Sequence, residues 1–407
     1  MSSLSPDQHP SLLTLYHGSI PMTSTLNQPL RTLLMGRLGW LTLLCWLLWI
    51  APAAARDLRI AVQQGQSQIA VGSSTPAQLV DGNGKALGQL PALQGYFGTS
   101  TGNAIDLADQ KAWTITVKPA NGGFVYIGGR WYRGTVSLVN TSKGVMAINN
   151  VDLEDYLTSV VGKEAYASWP QEVLKAQAVA SRSFALYRIE RQRSPLYDLG
   201  DNQTYQVYSG LDGEADSTYA AVQATKGKVL TYGGKIIEAV FHANAGGRTE
   251  NSENVWSGVT PYLRSTESPD QEGRNYQWDE QFTAADMKKK LPDLGNIRAI
   301  KPLNKTLSGR VVNVEVVGDT GRKTMSGTQF RQALKLKSTL FDVTAQPGLV
   351  ASQLGAATSS SFQFTGKGHG HGLGMSQWGA FAMAKRGQTY PQILQHYYQG
   401  TALKQVQ

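Results

Sequence analysis

The sequence contains 407 residues, of which 41% are hydrophobic and 16% charged, and its formal net charge is +9. Such a chain can bury a substantial core, as one large domain or two modest ones. No Lys/Arg-rich run with interleaved aromatic residues occurs, so the positive charge favours anionic lipid or an anionic wall polymer over nucleic acid. The single cysteine, Cys45, lies in the most apolar stretch. The rest of the chain therefore has no disulfide framework, no cysteine nucleophile and no thiolate zinc site.

Residues 1–55 are predicted to be a signal peptide and its leader. Residues 38–50 form an uncharged apolar run that follows Arg31 and Arg37, and the small residues of 51–55 come next. A basic start, a short apolar stretch and an A-x-A site are typical of a secretory signal. The run is shorter than the ~20 residues of a membrane span, although an uncleaved anchor is the alternative. We expect an exported protein that meets the membrane only through this segment.

Residues 56–150 are predicted to form a β-rich N-terminal part, because short apolar runs alternate with Gly/Asn/Asp turns. Residues 151–400 are predicted to be a second, functional domain that contains the strongest helical signals, and residues 401–407 a tail. Strands first and helices later favour an α+β fold with short helices that carry the site. Representative predicted strands are Leu58–Val62, Trp113–Val117 and Thr135–Val139.

A helix is predicted over residues 152–165, and Glu164 continues its apolar face. A carboxyl group on an apolar face is partly desolvated, which raises its pKa and suits it to act as a general acid. On spacing alone, a helix that ends near Lys163 and leaves Glu164 facing water is the favoured alternative. The apolar face consists of Leu153, Tyr156, Leu157, Val160 and Val161.

A second helix is predicted from Pro170 in its first turn through the alanine-rich body Val173–Ile189. Lys175 and Arg182 are seven residues apart and therefore share a face. Two cations aimed towards Glu164 could bind substrate carboxylates, whereas an ordinary solvated basic face is the alternative.

The stretch 366–380 alternates glycine with histidine, which permits unusual backbone conformations and close approach of a ligand to the main chain. His369 and His371, with His242 as a third ligand, could in principle hold zinc. An H-x-H pair is only moderately specific, so we predict no metal and assign these histidines to sugar hydroxyls or to turn structure.

Further helices are predicted towards the end of the chain. Ser376 is placed to cap a helix that runs to Lys385. The remaining predictions are a helix near 327–336, a Ser/Ala/Gly connector at 351–361 and a last helix at Pro391–Tyr398.

Several segments together resemble the stage II sporulation protein D family, also called SpoIID/LytB. The resemblance extends from about residue 56 to residue 400, and its motifs follow one another in the same order as in the family. The segments that carry it are Val151–Glu164, Trp169–Ala185, Gln206–Gly210, Phe241–Glu250, Pro261–Ser265 and His371–Ala380.

The resemblance implies an α+β domain that binds the glycan strands of peptidoglycan. Some members are lytic transglycosylases that cut strands stripped of stem peptides, and others are described as enhancers of a wall amidase. The family's catalytic glutamate corresponds to Glu164, and its helix lysine and arginine correspond to Lys175 and Arg182. Substrate-binding residues are then expected at Gln206, Tyr208, His242, Arg248, His369, His371, Ser376, Gln377 and Trp378.

A lytic transglycosylase can work with a single carboxyl group, no water and no cofactor, because the muramyl C6 hydroxyl closes on its own sugar. If Glu172, Glu250 or Glu253 supplied a second essential carboxylate, a hydrolase would be favoured. The rival prediction is a non-catalytic peptidoglycan-binding protein that recruits or enhances a cell-wall amidase. A structural envelope protein that keeps only the fold is a third alternative.

Two positions depart from the family pattern. The family's glutamate is usually followed by Met-Pro, whereas Ala165 and Tyr166 stand here, so the groove beside the acid should differ. Some members have a zinc-site cysteine where this chain has Tyr205, which further disfavours a metal.

Overall fold

The computed structural model describes residues 57–191, 194–347 and 359–406, which belong to one compact unit, Ala55–Gln407. The predicted signal peptide and leader, residues 1–55, lie outside the described residues, as does most of the predicted connector at 351–361. Within the described part, no helix is both long and apolar enough to cross a membrane. Strands dominate its beginning and helices are interspersed later, which confirms the predicted α+β class and the β-rich N-terminal part.

The N-terminal part is built from strands in which buried and less buried residues alternate. In β8, for example, Ile115 and Val117 are buried while Thr114 and Thr116 are not, as expected for a strand with one face on a core. The strands are β1 (Asp57–Gln66), β2 (Gln68–Ser73), β3 (Ala77–Asp81), β4 (Ala86–Leu90), β5 (Gly95–Thr101), β6 (Ala104–Leu107), β7 (Gln110–Ala112), β8 (Thr114–Pro119), β9 (Val125–Ile127), β10 (Arg130–Tyr132), β11 (Thr135–Thr141) and β12 (Gly144–Asp152).

These strands, together with the parallel edge strand β13 (Leu199–Gly200), form two sheets. Their orders are β13-β1-β12-β11-β8-β3-β4 and β10-β9-β2-β5-β6-β7. Both sheets bury side chains in a common hydrophobic core, to which Leu58 and Val136 contribute from the first sheet and Val71 and Ile105 from the second.

Five of the seven described α-helices begin within one or two residues of the predicted positions, whereas those at 216–224 and 284–290 were not predicted. Asp152 caps the first of them, since its carboxylate accepts hydrogen bonds from the backbone N–H groups of Glu154 and Asp155 at 2.8 and 3.3 Å. The helices are α1 (Leu153–Glu164), α2 (Gln171–Arg191), α3 (Asp216–Ala224), α4 (Ala284–Lys290), α5 (Gly327–Leu334), α6 (Gln377–Lys385) and α7 (Tyr390–Tyr397).

Helix α2 lies between two hydrophobic cores. Leu174 and Ala178 pack into the core of the N-terminal sheets, whereas Val179 and Phe184 pack into a second core with α6 and α7. A helix buried on opposite faces needs small side chains, because neighbouring elements approach its backbone closely. This arrangement explains the alanine-rich sequence of α2.

The remaining strands complete the fold. Strands β17–β22 form two three-stranded sheets that pack with α4 and α5 around a third core. The predicted tail contains β24, which pairs antiparallel with β14, so these residues are part of the fold. The bounds are β14 (Lys228–Tyr232), β15 (Lys235–Ile236), β16 (Phe241–His242), β17 (Gln277–Thr283), β18 (Ile297–Lys305), β19 (Val311–Gly318), β20 (Arg322–Ser326), β21 (Phe341–Pro347), β22 (Ser359–Lys367), β23 (Met375–Ser376) and β24 (Ala402–Gln405).

A buried ion pair connects α2 to α1. The Arg182 side chain is 0% exposed, and its Nε donates to Glu154 Oε1 at 3.0 Å while Nη1 donates to the Lys228 carbonyl at 3.1 Å. The structure thus does not bring Arg182 to Glu164, where the sequence analysis expected it, but pairs it with Glu154. Its guanidinium is enclosed in the protein interior, with no surface left to contact a substrate.

Arg182→Met is expected to lower the free energy of unfolding by about 3–5 kcal/mol, because it leaves the Glu154 carboxylate buried without its counter-charge. Chemical denaturation at neutral pH measures the effect. Arg191→Met, which removes a half-exposed cation from the same helix, should cost about 1 kcal/mol or less. A fully stable Arg182→Met protein with reduced activity would contradict the structural role.

Candidate active site

A cavity of about 510 Å³ is lined by the C-terminal end of α1, residues 203–205 and Val207, β16, α5 and the loop 369–371. Its size is within the usual range of ligand sites. Strand β16 pairs in parallel with β23, His242 against Ser376, and this pairing brings the glycine–histidine loop to the cavity. Five of the predicted site residues line it, namely Glu164, His242, His369, His371 and Gln377.

Glu164 is the last residue of α1, and the chain turns to an extended conformation immediately after it. The backbone N–H of Val207 donates to its carboxylate Oε1 at 3.0 Å, and Gln377 Nε2 donates to its backbone carbonyl at 2.9 Å. Burial raises the pKa of the Glu164 carboxyl above its ordinary value, and the hydrogen bond from the Val207 N–H offsets only part of that shift. The alternative of a Glu164 that simply faces water does not hold.

His242 and His371 are neighbouring neutral imidazoles whose ring centroids are 5.4 Å apart. His371 Nε2 lies 3.1 Å from the Phe241 carbonyl, and its Nδ1 accepts from the Leu373 N–H at 3.0 Å. This pattern requires a proton on Nε2 alone, and burial lowers the pKa of His371 to about 4. His371 is therefore fully hydrogen-bonded by the main chain.

One ring nitrogen of His242 has no hydrogen-bond partner among the described residues. Its Nδ1 lies 3.0 Å from the Leu373 carbonyl and therefore carries the proton, while burial lowers the pKa of the ring. Nε2 is then a buried acceptor with no hydrogen-bond partner among the described residues. A hydroxyl group of a ligand is the kind of donor that would satisfy it.

The loop beside these histidines requires glycine at particular positions. Gly370 has φ 117° and Gly372 has φ 85°, which are backbone conformations that L side chains rarely adopt. A Cβ at Gly370 would lie 2.6 Å from His242 Cβ, and one at Gly372 would lie 2.5 Å from Arg310 Cζ. The alternating glycines therefore allow the loop to pack directly on His242 and on the buried Arg310.

An aromatic cluster lies next to Glu164 in the sequence and in space. The ring centroids of Tyr166 and Trp169 are 5.2 Å apart, and those of Trp169 and Trp378 are 5.0 Å apart. Tyr166 is 50% exposed. Trp378 thus belongs to this cluster, and Tyr166, which departs from the family pattern, forms its exposed edge.

The other predicted site residues lie away from the cavity. Gln206 is buried and donates to the Ser181 carbonyl at 3.3 Å, and the buried Tyr208 donates to Asn149 Oδ1 at 2.7 Å. Their polar groups are enclosed in the core, so the structure does not bring them to the cavity lining as expected.

Three further predicted residues are engaged elsewhere. Lys175 Nζ pairs with Glu172 at 2.7 Å, and Arg248 pairs with Glu267 at 3.2 Å, both outside the cavity lining. The fully buried Ser376 caps α6 by accepting from the Gly379 N–H at 3.2 Å, which confirms its predicted capping role. None of these three side chains lines the cavity.

The three candidate second carboxylates, Glu172, Glu250 and Glu253, form contacts outside the cavity lining. Glu172 pairs with Lys175, and Glu253 with Arg264. Glu250 accepts hydrogen bonds from Thr306, Ser308 and Asn254, and the pKa values of all three carboxyls are below the ordinary one. Among the described residues that line the cavity, Glu164 is the only carboxylic acid.

Sequence reasoning missed several cavity residues. Arg188, Trp256 and Arg331 line the wall, and no periodicity or motif in the sequence indicated them. The described residues contain no group of three or more His, Cys, Asp or Glu side chains arranged to hold a metal ion.

Glu164→Gln is expected to gain stability relative to the parent as pH rises. Because the folded carboxyl has a raised pKa, the folded parent binds more protons than the unfolded chain between the ordinary value, 4.5, and the raised one. The parent's stability therefore falls across this window, whereas glutamine does not titrate. Melting temperatures from pH 3 to 8 measure the difference, and a difference that is constant with pH would contradict the desolvated carboxyl.

Two family models and several known proteins are similar to this chain in sequence. The family model for SpoIID, the stage II sporulation protein, matches residues 141–232, and a domain of unknown function (DUF8618) matches residues 250–374. Stage II sporulation protein D of Bacillus subtilis is 32% identical over 278 residues, which are 64% of this chain and 76% of that protein. The amidase enhancer of Bacillus subtilis is 30% identical over 341 residues, 71% of this chain and 47% of that protein. The chain therefore belongs to the SpoIID family.

Proposed function

We propose that this protein is a peptidoglycan lytic transglycosylase of the cell envelope in which Glu164 is the catalytic acid and base. Membership in the SpoIID family supports a cell-wall-related role. The observation that carries the finer proposal is the single carboxylic acid of the described cavity lining, Glu164, with its raised pKa.

The number of carboxyl groups favours a transglycosylase over a hydrolase. Hydrolysing glycosidases place two carboxyl groups roughly 5–9.5 Å apart on either side of the scissile bond. Glu172, Glu250 and Glu253 do not line the cavity and have other partners. A mechanism that uses one carboxyl group twice fits the described lining.

In the proposed reaction, protonated Glu164 donates its proton to the glycosidic oxygen on C1 of N-acetylmuramic acid. The C1–oxygen bond breaks, and the C6 hydroxyl of the same sugar attacks C1. Glu164, now ionised, takes the proton of that hydroxyl. The products are a strand with a 1,6-anhydro end and a strand with a free C4 hydroxyl, so protons and bonds balance without water. A carboxyl with a raised pKa is suited to both transfers near neutral pH.

The surroundings of Glu164 offer contacts for a sugar strand. His242 lines the cavity, and its Nε2 is an acceptor without a hydrogen-bond partner among the described residues. Trp256 in the cavity wall and the exposed Tyr166 present aromatic faces, on which the apolar face of a pyranose ring can pack.

The second candidate function is that of a non-catalytic wall-binding protein that enhances an amidase. The similarity to a protein named amidase enhancer favours it. Such a protein needs the cavity and the aromatic cluster, but it does not need the acid.

Glu164→Gln is expected to abolish strand cleavage, with a loss of about a hundredfold or more, because the amide cannot donate the proton. Purified protein is incubated with peptide-stripped glycan strands, and the products are weighed by mass spectrometry. Glu253→Gln, the same chemical change outside the cavity, should cleave like the parent.

Anhydro-ended fragments from the parent and from Glu253→Gln, but not from Glu164→Gln, would support the proposal. Intact strands that both parent and Glu164→Gln retain would favour the binding protein and reject the catalytic role.

A further inference from the structure

Arg331 is the partly buried cation of the cavity lining that has no acidic partner among the described residues. Arg188 pairs with Glu238 at 2.9 Å, and the exposed Lys163 is solvated. The two terminal amino nitrogens of Arg331 make no hydrogen bond or ion pair with a described residue, although the side chain is partly buried. A partly desolvated cation without a counter-charge is costly unless a ligand supplies the anion.

The position of Arg331 is fixed by the turn that follows α5. Its Nε donates to the carbonyls of Leu336 and Lys337, each at 3.2 Å, and the turn is closed by Lys335 in the left-handed conformation with φ 61°. The Lys337 carbonyl also accepts the Gly370 N–H at 2.9 Å. One carbonyl thus holds both Arg331 and the glycine–histidine loop, so that the two are positioned together.

The histidines of the cavity do not compete with Arg331 for an anion. Arg331 itself helps to lower the pKa values of His242, His369 and His371, in addition to their burial. Neutral rings leave the guanidinium as the positive centre on that wall, with the Glu164 carboxyl lining the same cavity.

We propose that Arg331 binds the free lactyl carboxylate of N-acetylmuramic acid. This inference rests on the proposed function for its substrate class. The planar guanidinium can hold a carboxylate through two parallel N–H···O bonds. That carboxylate exists only where no stem peptide is attached, because the peptide converts it to an uncharged amide. Arg331 would thereby distinguish stripped from peptide-bearing sugars. The sequence analysis had considered Lys175 and Arg182 for the binding of substrate carboxylates.

The test compares the binding of two peptide-free glycan strands of equal length. One strand has free lactyl carboxylates, and in the other these carboxylates are converted to methyl amides. Titration calorimetry is done in a Glu164→Gln background, so that no strand is cleaved. We expect the carboxylate probe to bind about tenfold more tightly than the amide probe. Arg331→Gln should remove this preference by weakening only the carboxylate probe, whereas the exposed Arg322→Gln, with the same charge change, should keep it.

Arg331→Lys separates the charge from the structural contacts of Nε. Lysine keeps the cation but cannot reproduce the bonds to Leu336 and Lys337, so it should retain a reduced preference of about threefold. Loss of the preference to the same extent in Arg331→Lys and Arg331→Gln would overturn the proposal in favour of a structural role. A preference that survives Arg331→Gln would overturn it directly.

The binding preference and strand cleavage are measured separately, so the two proposals can fail independently of each other. If the parent cleaves strands but Arg331→Gln keeps the preference, only the assignment of Arg331 fails. If the parent does not cleave but the preference depends on Arg331, the carboxylate site stands and the transglycosylase fails.

Discussion

The double-sided burial of α2 is the constraint on which the rest of the structure depends. The helix supplies small residues to two cores at once, and its one fully buried cation, Arg182, must be neutralised by Glu154. Gln177 on the same helix lies 3.3 Å from Gln377, which in turn donates to the Glu164 carbonyl. The end of α1 and the start of α6 are thus held together through α2. The candidate acid is positioned by this packing and not by a flexible loop.

The electrostatics of the cavity follow from the same close packing. The glycine–histidine loop lies directly on His242 and Arg310, and burial keeps both His242 and His371 neutral. A carboxyl group in such surroundings is poorly solvated and holds its proton more tightly. Arg331, which has no acidic partner among the described residues, lines the same cavity and is held beside the glycine–histidine loop by the Lys337 carbonyl. An acid that can donate a proton and a cation that can hold a carboxylate therefore share one cavity.

Much of the fold could be predicted from local patterns. Period-2 strands such as β8, the helix after Asp152 and the cap at Ser376 depend on neighbouring residues, and the structure has them close to their predicted positions. The site was predictable only in part. Spacing alone favoured a solvent-facing Glu164, and it was the family resemblance that identified this residue as the candidate acid.

The errors and omissions have a tertiary origin. Lys175 and Arg182 share a helical face by spacing, but α2 reaches the surface at one of them and is enclosed at the other. Gln206 and Tyr208 belong to a family motif, yet they are buried. Arg331 comes from a segment more than 150 residues after Glu164 in the sequence, and only the fold brings it to the cavity.

The reaction carried out in water enriched in heavy oxygen tests the central claim most directly. Mass spectrometry of the new strand ends reports whether water or the sugar's own hydroxyl attacked C1. The single-carboxylate account predicts anhydro ends that contain no heavy oxygen. Reducing ends labelled with heavy oxygen would show hydrolysis and contradict the account.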